Sequence, residues 1–276
     1  MYKLIAIDLD GTLLTSDKQI SPRTQEALLS AKQQGVQVLL ASGRPLKGML
    51  PYLQQLGLIT DQDYVVHSNG CFVANVGSGE VIHQQLISGA DAKKVAVLAK
   101  QLGLDCHAFS TELGLITPKT NPYTQLEAKI NNLEINEYDF AQLEDDHRII
   151  KAMIVAAPED LAKAAPLVPQ SFKDDYTVVQ SSPYFLEFIN PATNKGQGVQ
   201  VVADRLNVAQ SEVICFGDAE NDHHMIEWAG LGIAMDNAMP QTKALADELT
   251  DNNNADGVAK GVERHVLNVI EKQNFA

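Results

Sequence analysis

Two acids, Asp8 and Asp10, follow the aliphatic run Leu4-Ile5-Ala6-Ile7 and precede Gly11-Thr12. Side chains alternate faces along an extended segment, so both carboxylates lie on one side if the strand persists that far. Two like charges ~4 Å apart repel by ~4 kcal/mol at an effective dielectric near 20, and a proton or a cation must relieve them. Mg²⁺ suits the task. It takes few protein carboxylates, keeps part of its water shell and shares the rest with phosphate, which points to phosphoryl chemistry. Gly11 lets the chain turn and bring backbone N–H groups to an anion, and Thr12 can hydrogen-bond within that turn.

Three further stretches carry groups of the same kind. Ser42-Gly43-Arg44 sets a hydroxyl and a glycine-softened backbone ahead of a predicted helix, a ready anion site. Lys195 opens another predicted helix and offers a point charge to a phosphate. Asp218 follows the aliphatic strand Val213-Ile214-Cys215-Phe216 and can complete the ion's ligand set. Asn221 and Asp222 can bind phosphate and hold a metal-bound water, although N-cap duty explains either as well. His223-His224 makes a poor transition-metal pair, because adjacent residues on a helix point in different directions. His67 lies inside an apolar strand and reads as a core residue.

The elements that must deliver these groups read as α/β, a doubly wound parallel sheet with an inserted α+β unit. Residues 3–9 form a strand, 24–34 a helix behind Ser21-Pro22, and 36–41 a second strand ending at Ser42. A helix then runs to Leu56-Gly57, and a third strand, Tyr64 to His67, ends in Ser68-Asn69-Gly70. Ligands of open sheets bind outside the carboxyl ends of strands, where Asp8, Ser42 and Asn69 all sit. From residue 71 the alternation breaks. A hairpin (72–75 and 80–83) is followed by helix 89–103, strands 104–109 and 113–117, helix 122–132, strand 149–156, helix 158–166, and strands 176–181 and 184–189. The first pattern resumes with helix 195–206, strands 213–216 and 231–235, a short helix near 240–246 and a last helix over 255–271. Residues 1–83 with 189–276 are therefore predicted to form a catalytic core, and 84–188 an insertion that leaves and re-enters on the site side and can act as a lid.

Composition bounds the partners. The formal charge is -14, from 35 acids against 21 bases, a balance that disfavours nucleic acid and anionic membranes. Asp8 and Asp10 interrupt any early secretory apolar region, and no apolar run approaches the ~18 residues of a membrane span, so a cytoplasmic protein is expected. Cys71, Cys106 and Cys215 lack C-x-x-C spacing and suggest neither a disulfide framework nor a structural zinc site.

Asp8-Leu9-Asp10-Gly11-Thr12, Ser42-Gly43-Arg44, Lys195-Gly196 and the run Gly217-Asp218-Ala219-Glu220-Asn221-Asp222-His223-His224-Met225 resemble, in order and spacing, the four motifs of the haloacid dehalogenase-like superfamily. The insertion is similar to the α/β cap of its Cof-type branch, which contains many sugar-phosphate phosphatases. The resemblance covers nearly the whole chain and says little about substrate.

The resemblance implies a Mg²⁺-dependent phosphomonoester hydrolase acting on a small phosphorylated metabolite, with a sugar phosphate as the foremost class. Asp8 would attack phosphorus to form an aspartyl-phosphate. Asp10, its pKa raised by neighbouring negative charge, would protonate the leaving oxygen and then activate water. Mg²⁺ would be held by the Asp8 side chain, the Asp10 backbone carbonyl and Asp218, with Asp222 behind them. Leu9, Gly11, Ser42, Gly43, Arg44, Lys195 and Asn221 would surround the phosphate. Lys119, Asn121, Tyr123 and Lys129 of the insertion could meet a polar substrate or simply face water, and no role is assigned to them. Two rivals stand beside this reading: a phosphotransferase similar to phosphomannomutase, whose last motif is usually longer, and a phospho-Asp signalling or sensor protein without turnover.

Overall fold

The computed structural model describes residues 1–267. Met1–Gln84 and the chain from Asn194 onward form one compact unit, and Gln85–Thr193 forms a second. In the first stretch of the chain β1 (Leu4–Ile7), α1 (Pro22–Gln33), β2 (Gln37–Ala41), α2 (Leu46–Gln55) and β3 (Tyr64–His67) alternate, and β4 (Phe72–Asn75) and β5 (Val81–Gln84) follow. The inserted unit comprises β6 (Ile87–Ser88), α3 (Gly89–Gln101), β7 (Asp105–Ser110), β8 (Gly114–Thr117), α4 (Pro122–Asn131), β9 (Ile135–Glu137), β10 (Arg148–Val155), α5 (Pro158–Ala164), α6 (Gln170–Asp175), β11 (Thr177–Ser182) and β12 (Phe185–Ile189). The first unit then resumes with α7 (Lys195–Leu206), β13 (Val213–Gly217), α8 (His223–Trp228), β14 (Leu231–Met235), α9 (Pro240–Leu245), β15 (Glu248–Thr250) and α10 (Gly257–His265).

The first unit is built on an eight-stranded sheet ordered β15-β14-β13-β1-β2-β3-β4-β5. Pairing is parallel from β15 to β3 and antiparallel at β3–β4 and β4–β5, so the expected doubly wound sheet carries an antiparallel edge. Alternation in β1 and β2 feeds both faces. Ile5, Ile7, Val38 and Leu40 pack with Leu28 of α1 and Val258 and Val262 of α10, whereas Leu4, Ala6, Leu39 and Ala41 pack with Val199 and Val202 of α7 and Met225 of α8. Burial on both faces explains why these strands read as unbroken aliphatic runs. Ser21 caps α1 by accepting from Thr24 N at 3.1 Å, with Pro22 in the first turn.

The inserted unit has a seven-stranded sheet, with β11-β12-β10-β7-β8-β9 in order and β6 paired to β10. Its boundaries fall after Gln84 and after Thr193, whereas the sequence pattern suggested 83 and 188. The difference at the second edge has a local cause: Asn190, just past β12, donates from Nδ2 to Leu86 O at 2.9 Å and ties the outgoing chain to the incoming one. β9 and β15, three residues each, and α6 are not apparent in the hydrophobic pattern. The last helix, expected over 255–271, ends at His265, and residues 268–271 of that expectation lie outside the described residues. No described helix is long and apolar enough to cross a membrane.

Two histidines are buried without charge. His67 stacks on Phe72 with ring centroids 4.9 Å apart, and burial lowers its pKa from 6.5 to about 4. In the inserted unit His107 meets Thr124 Oγ1 at 3.0 Å, and burial, then Lys151, lowers its pKa to about 3. Below pH 6.5 the unfolded chain binds protons that these rings refuse when folded. The histidine contribution to stability is therefore expected to be flat above that pH and to fall on acidification by ~1.4 kcal/mol per pH unit for each ring, until its folded pKa is reached, while carboxyls whose folded pKa is raised, Asp8 and Asp218, pull the other way. Urea denaturation of wild type and His67→Gln between pH 7.5 and 4.5 checks this: the stability difference between the two should change by ~1.4 kcal/mol per pH unit below pH 6.5, and a pH-independent difference would contradict it.

Candidate active site

The carboxyl ends of β1, β2, β3 and β13 deliver the groups singled out in the sequence. β1 stops at Ile7, and the chain then wraps: Leu13 N donates to Asp8 O at 3.1 Å and Leu14 N to Leu9 O at 2.9 Å, while Gly11 takes φ +89°. Alternation is lost at this wrap. The expectation that Asp8 and Asp10 share one space is therefore corrected. The Asp10 carboxylate instead receives a two-pronged bond from Arg44, Nε to Oδ2 at 2.7 Å and Nη2 to Oδ1 at 2.8 Å, and a third from Lys18 Nζ at 2.6 Å. Burial alone would raise the Asp10 pKa, but Arg44 and Lys18 outweigh it and hold the group below its ordinary value. The raised pKa expected for Asp10 is thus also corrected, because the cations that bind it, Arg44 and Lys18, decide its direction.

Asp8 is buried with different company. Lys195, fully buried at the start of α7, donates from Nζ to Asp8 Oδ1 at 2.5 Å and to Asp222 Oδ1 at 2.7 Å. Burial opposes the ammonium charge, yet Asp222 and Asp8 more than offset it and hold the lysine pKa above its usual value. The second oxygen of Asp222 accepts from Asp218 N at 2.9 Å and Ala219 N at 3.0 Å. Asp222 is therefore spent on orienting Lys195 and the turn after β13. Asp218 lies beside it, and its Oδ1 accepts from Thr12 Oγ1 at 2.8 Å. Thr12 thus bonds across to the β13 turn and not within its own.

The carboxylate oxygens of Asp8, Asp218 and Asp222 lie within 4.8 Å of one another. Burial, then the neighbouring Asp222, raises the Asp218 pKa to about 6. Burial also raises Asp8 well above its ordinary value, with Lys195 pulling down and Asp222 and Asp218 pushing up. Three carboxylates against one ammonium leave a surplus of negative charge. Asp8 Oδ2 and Asp218 Oδ2 accept no hydrogen bond from the described residues. Hard oxygen donors in an under-neutralised pocket fit a hard divalent cation such as Mg²⁺.

Gly11 is indispensable to this geometry. A Cβ there would run into the Asp218 carboxylate, and the positive φ disfavours any side chain. Gly11→Ala is expected to displace Asp218 and to weaken Mg²⁺ affinity ~10-fold or more, as changes that misorient ligands do. Calorimetric titration with Mg²⁺ reads this out; an unchanged affinity would remove Asp218 from the ion's ligands.

Beside this cluster lies a neutral one. Ser42, buried after β2, accepts at Oγ from Arg44 N at 3.2 Å and donates from its own N to Val66 O at 3.0 Å. Asn221 donates from Nδ2 to Asn69 Oδ1 at 2.9 Å, and the Asn69 amide packs on the α-carbon of Gly43. Ser42, Gly43 and Asn221 are thereby brought together through a residue that carried no assignment. The Leu9 side chain is fully buried in the core, so only its backbone is available to a phosphate. Arg44 is turned onto Asp10 and lies 5.4 Å over the Tyr52 ring. His223 bonds Thr242 Oγ1 at 2.8 Å and takes no part in the cluster.

The profile of the haloacid dehalogenase-like hydrolases matches residues 5–262. The chain belongs to this family. It is 36% identical over 269 residues to the Bacillus subtilis "Putative phosphatase YxeH", covering 97% of this chain and 99% of the relative. It is 30% identical over 244 residues to an HMP-PP phosphatase of Cronobacter sakazakii, covering 88% of each. A crystal structure of a haloacid dehalogenase-like hydrolase from Bacteroides thetaiotaomicron superposes with a TM-score of 0.84 at 32% identity, covering 96% of this chain and 99% of that one.

Two contributors to the site in this hydrolase escape a reading by motif. Lys18 adopts φ 59° in a turn beyond the first motif and carries no pattern of its own. Asn69 does carry a signal, an Asn-Gly pair at a strand's carboxyl end, level with Asp8 and Ser42.

Proposed function

We propose that this protein is a Mg²⁺-dependent phosphomonoester hydrolase of small phosphorylated metabolites, sugar phosphates foremost, working through an aspartyl-phosphate. The observation that carries the reading is the buried Lys195 ammonium bridging Asp8 and Asp222 within a cluster of three carboxylates. A carboxylate cannot approach a dianionic phosphate unless positive charge is already in place, and Lys195 is fixed there before substrate arrives. A bound Mg²⁺, held by Asp8, Asp218 and the Asp10 backbone carbonyl, would supply the remaining positive charge and polarise a phosphoryl oxygen.

In this mechanism Asp8 Oδ2, the oxygen that accepts no hydrogen bond among the described residues, forms the bond to phosphorus while the ester oxygen leaves. Ser42 Oγ, the backbone around Gly43, and Asn221 bind the phosphoryl oxygens. Asp10 is held as a carboxylate by Arg44 and Lys18, the form that accepts a proton from the water that opens the aspartyl-phosphate. To protonate the leaving oxygen in the first step it must come away from Arg44 and Lys18 carrying a proton. The relatives named as phosphatases support the reaction class.

A phosphate-release screen over sugar phosphates and other small phosphomonoesters, with Mg²⁺ and with EDTA, tests the reading. Release confined to the Mg²⁺ arm is expected. Equal release in EDTA would overturn the metal dependence, an isomerised phosphoester without free phosphate would indicate a phosphotransferase, and no turnover of any ester would overturn the hydrolase.

A further inference from the structure

The turn after β3 has an unusual backbone. Ser68, Asn69 and Gly70 take consecutive positive φ values of 52°, 59° and 95°, a conformation that L side chains rarely adopt. Such turns persist only where the surroundings over-determine them. Ser68 N donates to Arg44 O and Asn69 N to Ser42 O, both at 2.9 Å, so the turn is stitched to the backbone of Ser42-Gly43-Arg44. The α-carbon of Gly70 packs on the Asn194 carbonyl, next to Lys195, with no space for a Cβ. The Asn69 side chain is buried, its Oδ1 accepts from Asn221, and a Cβ on Gly43 would meet its amide at 3.0 Å. A single tripeptide therefore touches the Ser42 turn, the start of α7 and the turn after β13.

We propose that Asn69 is a positioning residue of the phosphate site. Its Oδ1 fixes the Asn221 amide, and its amide plane, seated on Gly43, fixes the Ser42–Arg44 turn, so one side chain sets the spacing of two phosphate-holding groups. Asparagine suits both demands: it tolerates the left-handed conformation and supplies an acceptor that glycine lacks. The inference rests on the phosphatase reading above, and it adds a residue that acts through Asn221 and the Ser42–Arg44 turn and not on the reacting atoms.

The backbone permits a clean test. Asn69→Gly removes the amide while keeping the positive φ comfortable, so folding is spared. In the full-length protein, steady-state phosphate release and calorimetric binding of inorganic phosphate are compared for wild type, Asn69→Gly, Asn221→Ala and the double variant. Each single change is expected to lower kcat/KM roughly tenfold, mainly by raising KM, and to weaken phosphate binding by a similar factor. Because part of the Asn69 effect passes through Asn221, the double variant should lose clearly less than the product of the two single losses. A hundredfold, multiplicative loss in the double variant would overturn the proposal, as would a melting temperature in Asn69→Gly low enough to explain its loss. A wild type that turns over esters, beside an Asn69→Gly variant as active as it, defeats the positioning role alone. A wild type that neither turns over esters nor binds phosphate defeats both readings.

Discussion

Asp8→Asn is expected to reduce phosphate release by ~10⁴-fold or more while leaving the protein folded and melting at or above the wild-type temperature. The kinetic loss follows from removing the attacking oxygen, since a nucleophile acting in concert with its partners takes most of the catalysis with it. The stability result follows from charge. Asp8 lies in a buried group of three carboxylates, and its pKa is driven up by burial and by Asp222 and Asp218. Making it neutral removes like-charge repulsion, and Lys195 keeps its 2.7 Å bond to Asp222. Measured kcat and a thermal melt of the same preparation decide the matter. Retention of more than a hundredth of the activity would unseat Asp8, and a steep drop in melting temperature would show that Asp8 holds the fold.

Lys195→Met is expected to do the reverse, abolishing activity and also destabilising the protein by ~3–5 kcal/mol near pH 8. Removing one partner of a buried ion pair leaves the other charges uncompensated, a larger effect than the net worth of the pair. Here the methionine strands Asp8 and Asp222 together. The deficit should shrink towards pH 5. Carboxyls whose folded pKa is raised, Asp8 well above its usual value and Asp218 to about 6, favour the folded state at low pH and lose that contribution as pH rises through the folded value. Millimolar Mg²⁺ should recover part of the loss by restoring positive charge. Urea melts at pH 5, 6.5 and 8, with and without Mg²⁺, provide the measurement; a deficit indifferent to both would mean that packing of the long side chain, and not its charge, is what Lys195 contributes.

Much of the site was legible because its groups follow a simple placement rule. Asp8, Ser42, Asp218 and Lys195 stand at strand ends or a helix start, and the flanking runs, such as Leu4 to Ile7 and Val213 to Phe216, are aliphatic because both faces of the sheet are covered. Residue type and element boundary together were enough to bring them into one place. The direction of Asp10 was not legible, since it depends on the Gly11 turn and on Arg44 and Lys18 arriving from elsewhere. Thr12 misled for the same reason, its partner lying 206 residues away. β9 and β15 are too short for periodicity to register, and α6 has Phe172 as its sole large apolar residue. Asn69 was visible as a strand-end residue, but its tie to Asn221 is a tertiary contact that spacing does not encode.

The first unit is discontinuous, and this has a bearing on synthesis. Asp8 waits for an ammonium 187 residues further along, and β1 lies in register between β2 and a strand, β13, made after the whole insertion. Closing so long a chain loop adds little to the equilibrium cost, because that cost grows only logarithmically with length. It does impose an order: a nascent polypeptide that has reached only the inserted unit holds an orphaned acid, and chemical competence arrives in one late step, when the ribosome has delivered the other charges.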